Sequence, residues 1–110
     1  MEYLFSYGTL QDESIQLKLY GRLLKGEKDT LPGYTIHLVE NKNYDEQRGN
    51  DEKFHRLAIK AENDEEGITG TLFELSEEEI IRTDEYEPDG YKRISAILLS
   101  GKSCWVYVAG

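Results

Sequence analysis

Ile68-Thr69-Gly70-Thr71-Leu72-Phe73-Glu74-Leu75-Ser76-Glu77-Glu78-Glu79-Ile80 contains a change of period. From Ile68 to Leu75 the chain is rich in β-branched and apolar residues, as a strand is. Its two faces carry Ile68, Gly70, Leu72 and Glu74 on one side and Thr69, Thr71, Phe73 and Leu75 on the other. At Ser76 the pattern becomes that of a helix start. The Ser76 hydroxyl can accept from the Glu79 amide, and the Glu79 carboxylate can reach back to the Ser76 amide, which is a capping box. Leu75 and Ile80 fit the hydrophobic staple around it. Three glutamates in the first turn suit the positive end of the helix dipole. Glu77, Glu78 and Glu79 thus have a structural account and leave the list of catalytic candidates.

Working outward, strands dominate. Tyr3–Tyr7 is a short aromatic run that ends at Gly8. Tyr34–Val39 follows the turn signal Pro32-Gly33. Phe54–Lys60 places Leu57 and Ile59 on one face. Lys92–Leu99 and Cys104–Val108 flank the hairpin signal Ser100-Gly101-Lys102-Ser103. A second helix is expected from Asp12 as cap, through Ile15, Leu19 and Tyr20, to Gly21 as stop. The polar stretch Asn41–Lys53 reads as a long surface loop. The order is strand, helix, several strands, helix, two strands. Strict βαβ alternation is missing, so the expected class is α+β: a mixed or largely antiparallel, curled sheet flanked by two helices.

Length and charge bound the function. The 110 residues fit one domain spanning 1–110. Thirteen Lys and Arg against 22 Asp and Glu give a net charge of −9. That argues against nucleic acid, which needs a basic face, and against docking on anionic membrane lipid. Between Glu62 and Asp89 there are twelve acids and one base, so this segment carries −11 and the remainder +2. Acids confined to one segment also speak against an acidic mimic of nucleic acid. No apolar run approaches the ~20 residues of a membrane-spanning helix. Met1-Glu2 begins without a basic, then apolar, leader, so a cytoplasmic setting is expected. The single cysteine, Cys104, cannot form an internal disulfide and reads as a buried, inert thiol. His37 and His55, 18 residues apart, have no partner spacing for a metal or a triad and read as structural or surface residues. No phosphate loop, dinucleotide fingerprint or nucleophile elbow occurs, so cofactor and metal chemistry lack support.

Two segments carry candidate chemistry. Tyr7-Gly8-Thr9-Leu10 lies between the first strand and the first helix cap, where glycine admits close approach and successive amides can bind an anion. An ordinary turn is the alternative. Asp84-Glu85-Tyr86-Glu87-Pro88-Asp89-Gly90-Tyr91-Lys92-Arg93 follows the second helix, with four carboxylates in six residues. Close like charges raise one another's pKa, one route to a general acid/base near neutral pH. Solvated acids at a helix end are the alternative, although acids at the negative end of a helix are unfavourable.

Taken together, these segments resemble the gamma-glutamylcyclotransferase-like family. Phe5-Ser6-Tyr7-Gly8-Thr9-Leu10 is similar to the family's opening strand and Tyr-Gly-Ser/Thr-Leu. Gly26 with Leu31-Pro32-Gly33-Tyr34, the strand Ile68–Leu75, and Trp105-Val106-Tyr107-Val108 fit its later elements. Asp84-Glu85-Tyr86-Glu87 followed by Tyr91-Lys92-Arg93 resembles its Asp-x-Tyr-Glu and Tyr-x-Arg pair. Thr83 stands where the family usually has Leu, and Pro88 where Gly usually follows the glutamate. The resemblance implies a small mixed β-barrel flanked by helices. It further implies release of 5-oxoproline from a gamma-glutamyl amine or amino acid, without a cofactor. Glu87 would be the general acid/base. Tyr7, Gly8, Thr9 and Leu10 would bind the substrate, with Arg93 as a possible further anchor. The other reading is a non-catalytic ligand-binding or protein-interaction module on the same fold. Oligomeric state and the leaving amine are left open.

Overall fold

The structure is a computed structural model that describes residues 1–40, 54–63 and 65–110. The expected loop Asn41–Lys53 lies outside the described residues. The elements are β1 (Glu2–Ser6), a 3-10 turn (Thr9–Gln11), α1 (Glu13–Tyr20), β2 (Gly26–Pro32), β3 (Tyr34–Glu40), β4 (Phe54–Lys60), β5 (Gly67–Leu75), α2 (Glu77–Tyr86), β6 (Tyr91–Ile97) and β7 (Ser103–Ala109). Both helix starts follow the sequence signals. The Asp12 side chain accepts from the Ser14 amide, and Gly21 closes α1 at φ 72°. The Ser76–Glu79 capping box is present in both directions.

Five strands form one sheet in the order β2-β5-β1-β7-β6, and β3 pairs with β4 in a separate ribbon. β1 and β7 run parallel, and the other pairs are antiparallel. Among the described residues neither sheet closes on itself. The fold is therefore α+β with a strongly curled sheet flanked by two helices, and not a closed barrel.

Alternation places the core on both faces of the large sheet. Phe5, Ile68, Leu72, Cys104, Val106 and Val108 pack on one face with Leu31 and with Ala58 of the ribbon. Leu4, Phe73, Leu75 and Tyr107 pack on the other with Leu10, Tyr20 and Ile80 from the helical side. The central strands are apolar on both sides because both sides are covered. Gly70 is needed for this layering. A Cβ there would collide with the Ser6 carbonyl oxygen and the Phe5 ring.

Three details differ from the sequence reading. Gly26–Pro32 is a strand, although it shows no apolar alternation. It is an edge strand, so only Leu31 is buried, and Pro32 at its end costs no ladder bond within the sheet. In β4 the fully buried residue is Ala58, while Leu57 and Ile59 are only half-buried. A small side chain suits the close approach of the ribbon to the sheet. The last hairpin opens at Leu98, whose amide donates to the Lys102 carbonyl, so β6 ends at Ile97 rather than Leu99.

Candidate active site

The end of α2 places the first group. The Glu87 amide donates to the Thr83 carbonyl at 3.0 Å, the last bond of the helix. Glu87 itself is extended, at φ −67° and ψ 133°. That is the conformation imposed on a residue before proline, so Pro88 both stops the helix at Tyr86 and sets the backbone of Glu87. Thr83, fully buried, donates to the Glu79 carbonyl at 2.7 Å and shares a hydrogen bond with the Tyr20 hydroxyl. A leucine could make neither bond, so the threonine ties α2 to α1 by polar contact.

Beside this helix end lies an open cleft of about 460 Å³, lined by Asp84, Glu87, Pro88, Asp89, Gly90, Tyr91, Arg93, Trp105 and Tyr107. Arg93 donates to Asp84 from Nε to Oδ1 at 2.8 Å and from Nη2 to Oδ2 at 3.1 Å. The Tyr107 hydroxyl donates to Asp84 Oδ1 at 2.6 Å. The Arg93 guanidinium lies over the Trp105 ring, 4.4 Å from its centroid. Strand register explains the convergence: Arg93 pairs directly with Tyr107 across β6 and β7, and Trp105 shares the Tyr107 face. Arg93 lines the cleft, with two of its donors committed to Asp84.

Glu87 is half-buried, and among the described residues its carboxylate has no hydrogen-bond or ion-pair partner. Burial, and then the negative charge of Asp84, push it up to about 7. The negative end of α2 acts in the same direction. The expectation that Glu85 and Asp89 also crowd it is corrected here: neither contributes.

The turn after β1 approaches from the other side. Tyr7 is buried. Its hydroxyl donates to the Tyr107 carbonyl at 2.7 Å and accepts from the Ala58 amide at 3.0 Å. This phenol joins the end of β1 to β7 and β4, and burial raises its pKa well above the ordinary range. A Cβ on Gly8 would meet nothing within 4 Å, so the space beside it is open. Among the described residues the amides of Thr9 and Leu10 have no protein acceptor, as the first amides of a 3-10 turn do not. The Leu10 side chain is core, and only its backbone is available. Buried Gln16 fixes the end of the turn by donating to the Leu10 carbonyl at 2.8 Å. Gly8, Thr9 and Leu10 do not line the cleft. They meet its helix through the Thr9 and Tyr86 hydroxyls, 2.8 Å apart.

Of the other candidates, His37 is exposed and His55 half-buried on the ribbon. Burial pushes the Cys104 thiol up to about 11, which keeps it protonated. Among the described residues no three His, Cys, Asp or Glu side chains are grouped to hold a metal ion. No helix among them is long and apolar enough to cross a membrane. The sequence reading missed the roles of Asp84 and Tyr107. The available signal was the alternation of Cys104–Val108, which puts Trp105 and Tyr107 together on the helix side.

The fold and cleft define a small α+β protein with an open, partly acidic cleft at the end of its second helix. The chain belongs to the gamma-glutamyl cyclotransferase, AIG2-like family, whose model matches residues 4–110. Solved structures share the fold. The solution structure of At3g28950.1 from Arabidopsis thaliana matches with TM-score 0.74 at 16% identity, over 98% of this chain and 61% of that one. The solution structure of At5g39720.1 from the same plant matches with TM-score 0.75 at 16% identity, over 98% of this chain and 68% of that one. The crystal structure of the uncharacterized protein PH0828 from Pyrococcus horikoshii matches with TM-score 0.67 at 18% identity, over 100% of this chain and 79% of that one. This chain therefore spans about three-fifths of the first of these proteins. No curated protein matches the sequence.

Proposed function

We propose that the protein is a cyclotransferase releasing 5-oxoproline from a gamma-glutamyl amine or gamma-glutamyl amino acid, with Glu87 as general acid/base. The observation that supports this most is Glu87 itself: a half-buried carboxyl in an open cleft, without a hydrogen-bond or ion-pair partner among the described residues, and pushed up to about 7. A base is most effective when its pKa lies near the working pH.

The chemistry asks little else. The substrate's α-ammonium gives a proton to Glu87. The freed nitrogen attacks the γ-carbonyl carbon of the same molecule and closes a five-membered ring. Nucleophile and electrophile are already joined, so orientation supplies much of the rate. The Glu87 proton then passes to the departing nitrogen as its bond to the γ-carbon breaks, and Glu87 next takes the extra proton from the ring nitrogen and hands it to the released amine, leaving 5-oxoproline, an ammonium product and the Glu87 carboxylate. The amides of Thr9 and Leu10, with Gly8 leaving room beside them, would hold the α-carboxylate or the developing oxyanion. Tyr7 would act through position, by anchoring the start of that turn.

The test is 5-oxoproline release over a panel of gamma-glutamyl amines and gamma-glutamyl amino acids. Release from at least one, lost in Glu87→Gln, is the expected result. No release from any, with a gamma-glutamyl analogue still bound, would leave a binding module on the same fold.

A further inference from the structure

Among the described residues no ladder joins the β3–β4 ribbon to the five-stranded sheet. A polar seam fastens it instead. The Ala61 amide donates to the Gly33 carbonyl at 3.0 Å, so these two residues face one another as a hydrogen-bonded pair. Bonded and non-bonded pairs alternate along an antiparallel ladder. Thr35 with Ile59, His37 with Leu57 and Val39 with His55 therefore bond across the ribbon, and Arg56 and Ala58 turn their backbone groups to the outer edge of β4. Two phenols meet that edge. The Tyr91 hydroxyl donates to the Arg56 carbonyl at 2.7 Å, and the Ala58 amide donates to the Tyr7 hydroxyl at 3.0 Å. A carbonyl and an amide on either side of Leu57 are the two groups that one residue of a neighbouring parallel strand would engage. Here one side chain supplies the donor and another the acceptor.

The two phenols belong to opposite halves of the site. Tyr7 starts the turn that carries Gly8, and its own proton goes to the Tyr107 carbonyl at 2.7 Å. Tyr91 opens β6, lines the cleft with Glu87, and follows it through Pro88, Asp89 and Gly90. Their anchor points, Arg56 and Ala58, are two residues apart on one strand, about 6–7 Å. Ala58 is fully buried and packs in the core with Leu31 and Val106, which fixes this stretch of backbone from within. We propose that Tyr91 is a positioning residue: its hydroxyl makes the β4 backbone a spacer that holds the cleft wall beside Glu87 at a set distance from the turn begun by Tyr7. This rests on the turn and Glu87 forming one site, as proposed above. The Thr9 and Tyr86 hydroxyls tie the same two halves on the helix side. One tie leaves the halves free to pivot, and a second on the ribbon side does not.

The experiment compares the backbone amide NMR spectra of wild type, Tyr91→Phe and Tyr3→Phe. Tyr91→Phe keeps the ring and deletes only the hydroxyl, so the fold should stand. Tyr3→Phe deletes an exposed hydroxyl elsewhere on the sheet. In Tyr91→Phe the Leu57 amide should move, because it shares a peptide group with the Arg56 carbonyl, and the amides of Ala58, Gly8 and Thr9 should move with it. Tyr3→Phe should move none of the four. Lost stability alone would lower the folded fraction and leave the native resonances in place. On a gamma-glutamyl substrate Tyr91→Phe should lower kcat about threefold to tenfold and keep KM within about twofold, because misplacing reacting groups falls on the chemical step. Unmoved Gly8 and Thr9 amides in Tyr91→Phe, equal shifts in Tyr3→Phe, or an unchanged kcat overturns the proposal. The spectra need no turnover. If wild type releases no 5-oxoproline, the cyclotransferase reading fails by that assay alone, while the Gly8 and Thr9 amides still decide whether Tyr91 places the turn.

Discussion

The hydroxyls of Thr9 and Tyr86 lie 2.8 Å apart, and through them the turn after the first strand meets the last residue of the second helix. The contact joins residues 77 positions apart in the chain. It ties the turn that carries Gly8 to the helix that ends beside Glu87.

Tyr86→Phe removes that bond and keeps the ring. An exposed hydrogen bond is worth about 0.5–1.5 kcal/mol, so melting should change by a few degrees at most. Binding should suffer more, because the amides are no longer held at a fixed distance. A gamma-glutamyl analogue should bind about threefold to tenfold more weakly by calorimetry, a loss of roughly 1 kcal/mol. Unchanged affinity would make the contact a surface detail.

Glu87→Gln should lower turnover by about 10²–10⁴-fold and keep the fold. In wild type the rate should rise through pH about 7, as Glu87 loses its own proton and can take the substrate's.

The same group predicts a stability slope. Its pKa is raised in the folded protein, so the folded state is favoured while Glu87 is protonated in both states. That advantage is lost as pH rises from the ordinary carboxylate range through about 7. Denaturant unfolding should therefore find Glu87→Gln equal to wild type near pH 4 and more stable at pH 8. Equal stability at both values would contradict the burial described.

Glu79 works in the opposite sense. Its carboxylate accepts from Arg22 at 2.7 and 2.9 Å and from the Ser76 amide at 2.8 Å, which holds it down at about 2. Its contribution is present above the ordinary carboxylate range and fades as pH falls toward 2. Glu79→Gln should cost about 1–3 kcal/mol at pH 7 and progressively less in acid, by the same unfolding measurement.

Two glycines should respond differently. Gly70→Ala pushes a methyl group into the Ser6 carbonyl and the Phe5 ring, and should destabilise by about 1–3 kcal/mol. Gly8→Val places its side chain in open space at a negative φ, so folding should survive. Substrate binding should weaken, because that open space lies beside the free amides. A Gly8→Val protein with unchanged affinity would remove the turn from the site.

What could be read from sequence followed how local each signal is. The capping box at Ser76 and Glu79 and the stop at Gly21 lie within a few residues of what they specify, and both appear as expected. The strand Gly26–Pro32 did not announce itself, because an edge strand needs only one buried residue and Leu31 alone makes no pattern. Ala58 shows the same limit from inside the core: smallness, not hydrophobicity, lets the ribbon close on the sheet. In the site, the turn at Gly8 and the acid at Glu87 were visible as motifs. The clamp on Asp84 was not, since it joins residues 9 and 23 positions away and depends on the β6–β7 register.

The central place of β1 has a consequence for the order of assembly. Its neighbours are β5 and β7, both far along the chain. Tyr7 finds its carbonyl acceptor 100 positions later. Such distant pairing makes the loop-closure cost high before any contact rewards it, which slows folding. Within this chain the turn that carries Gly8 is made long before β7, whose Tyr107 carbonyl accepts from Tyr7. Until β5 is made the apolar run Tyr3–Tyr7 has neither neighbour, and with β5 alone one edge of it stays open, the kind of edge that favours aggregation.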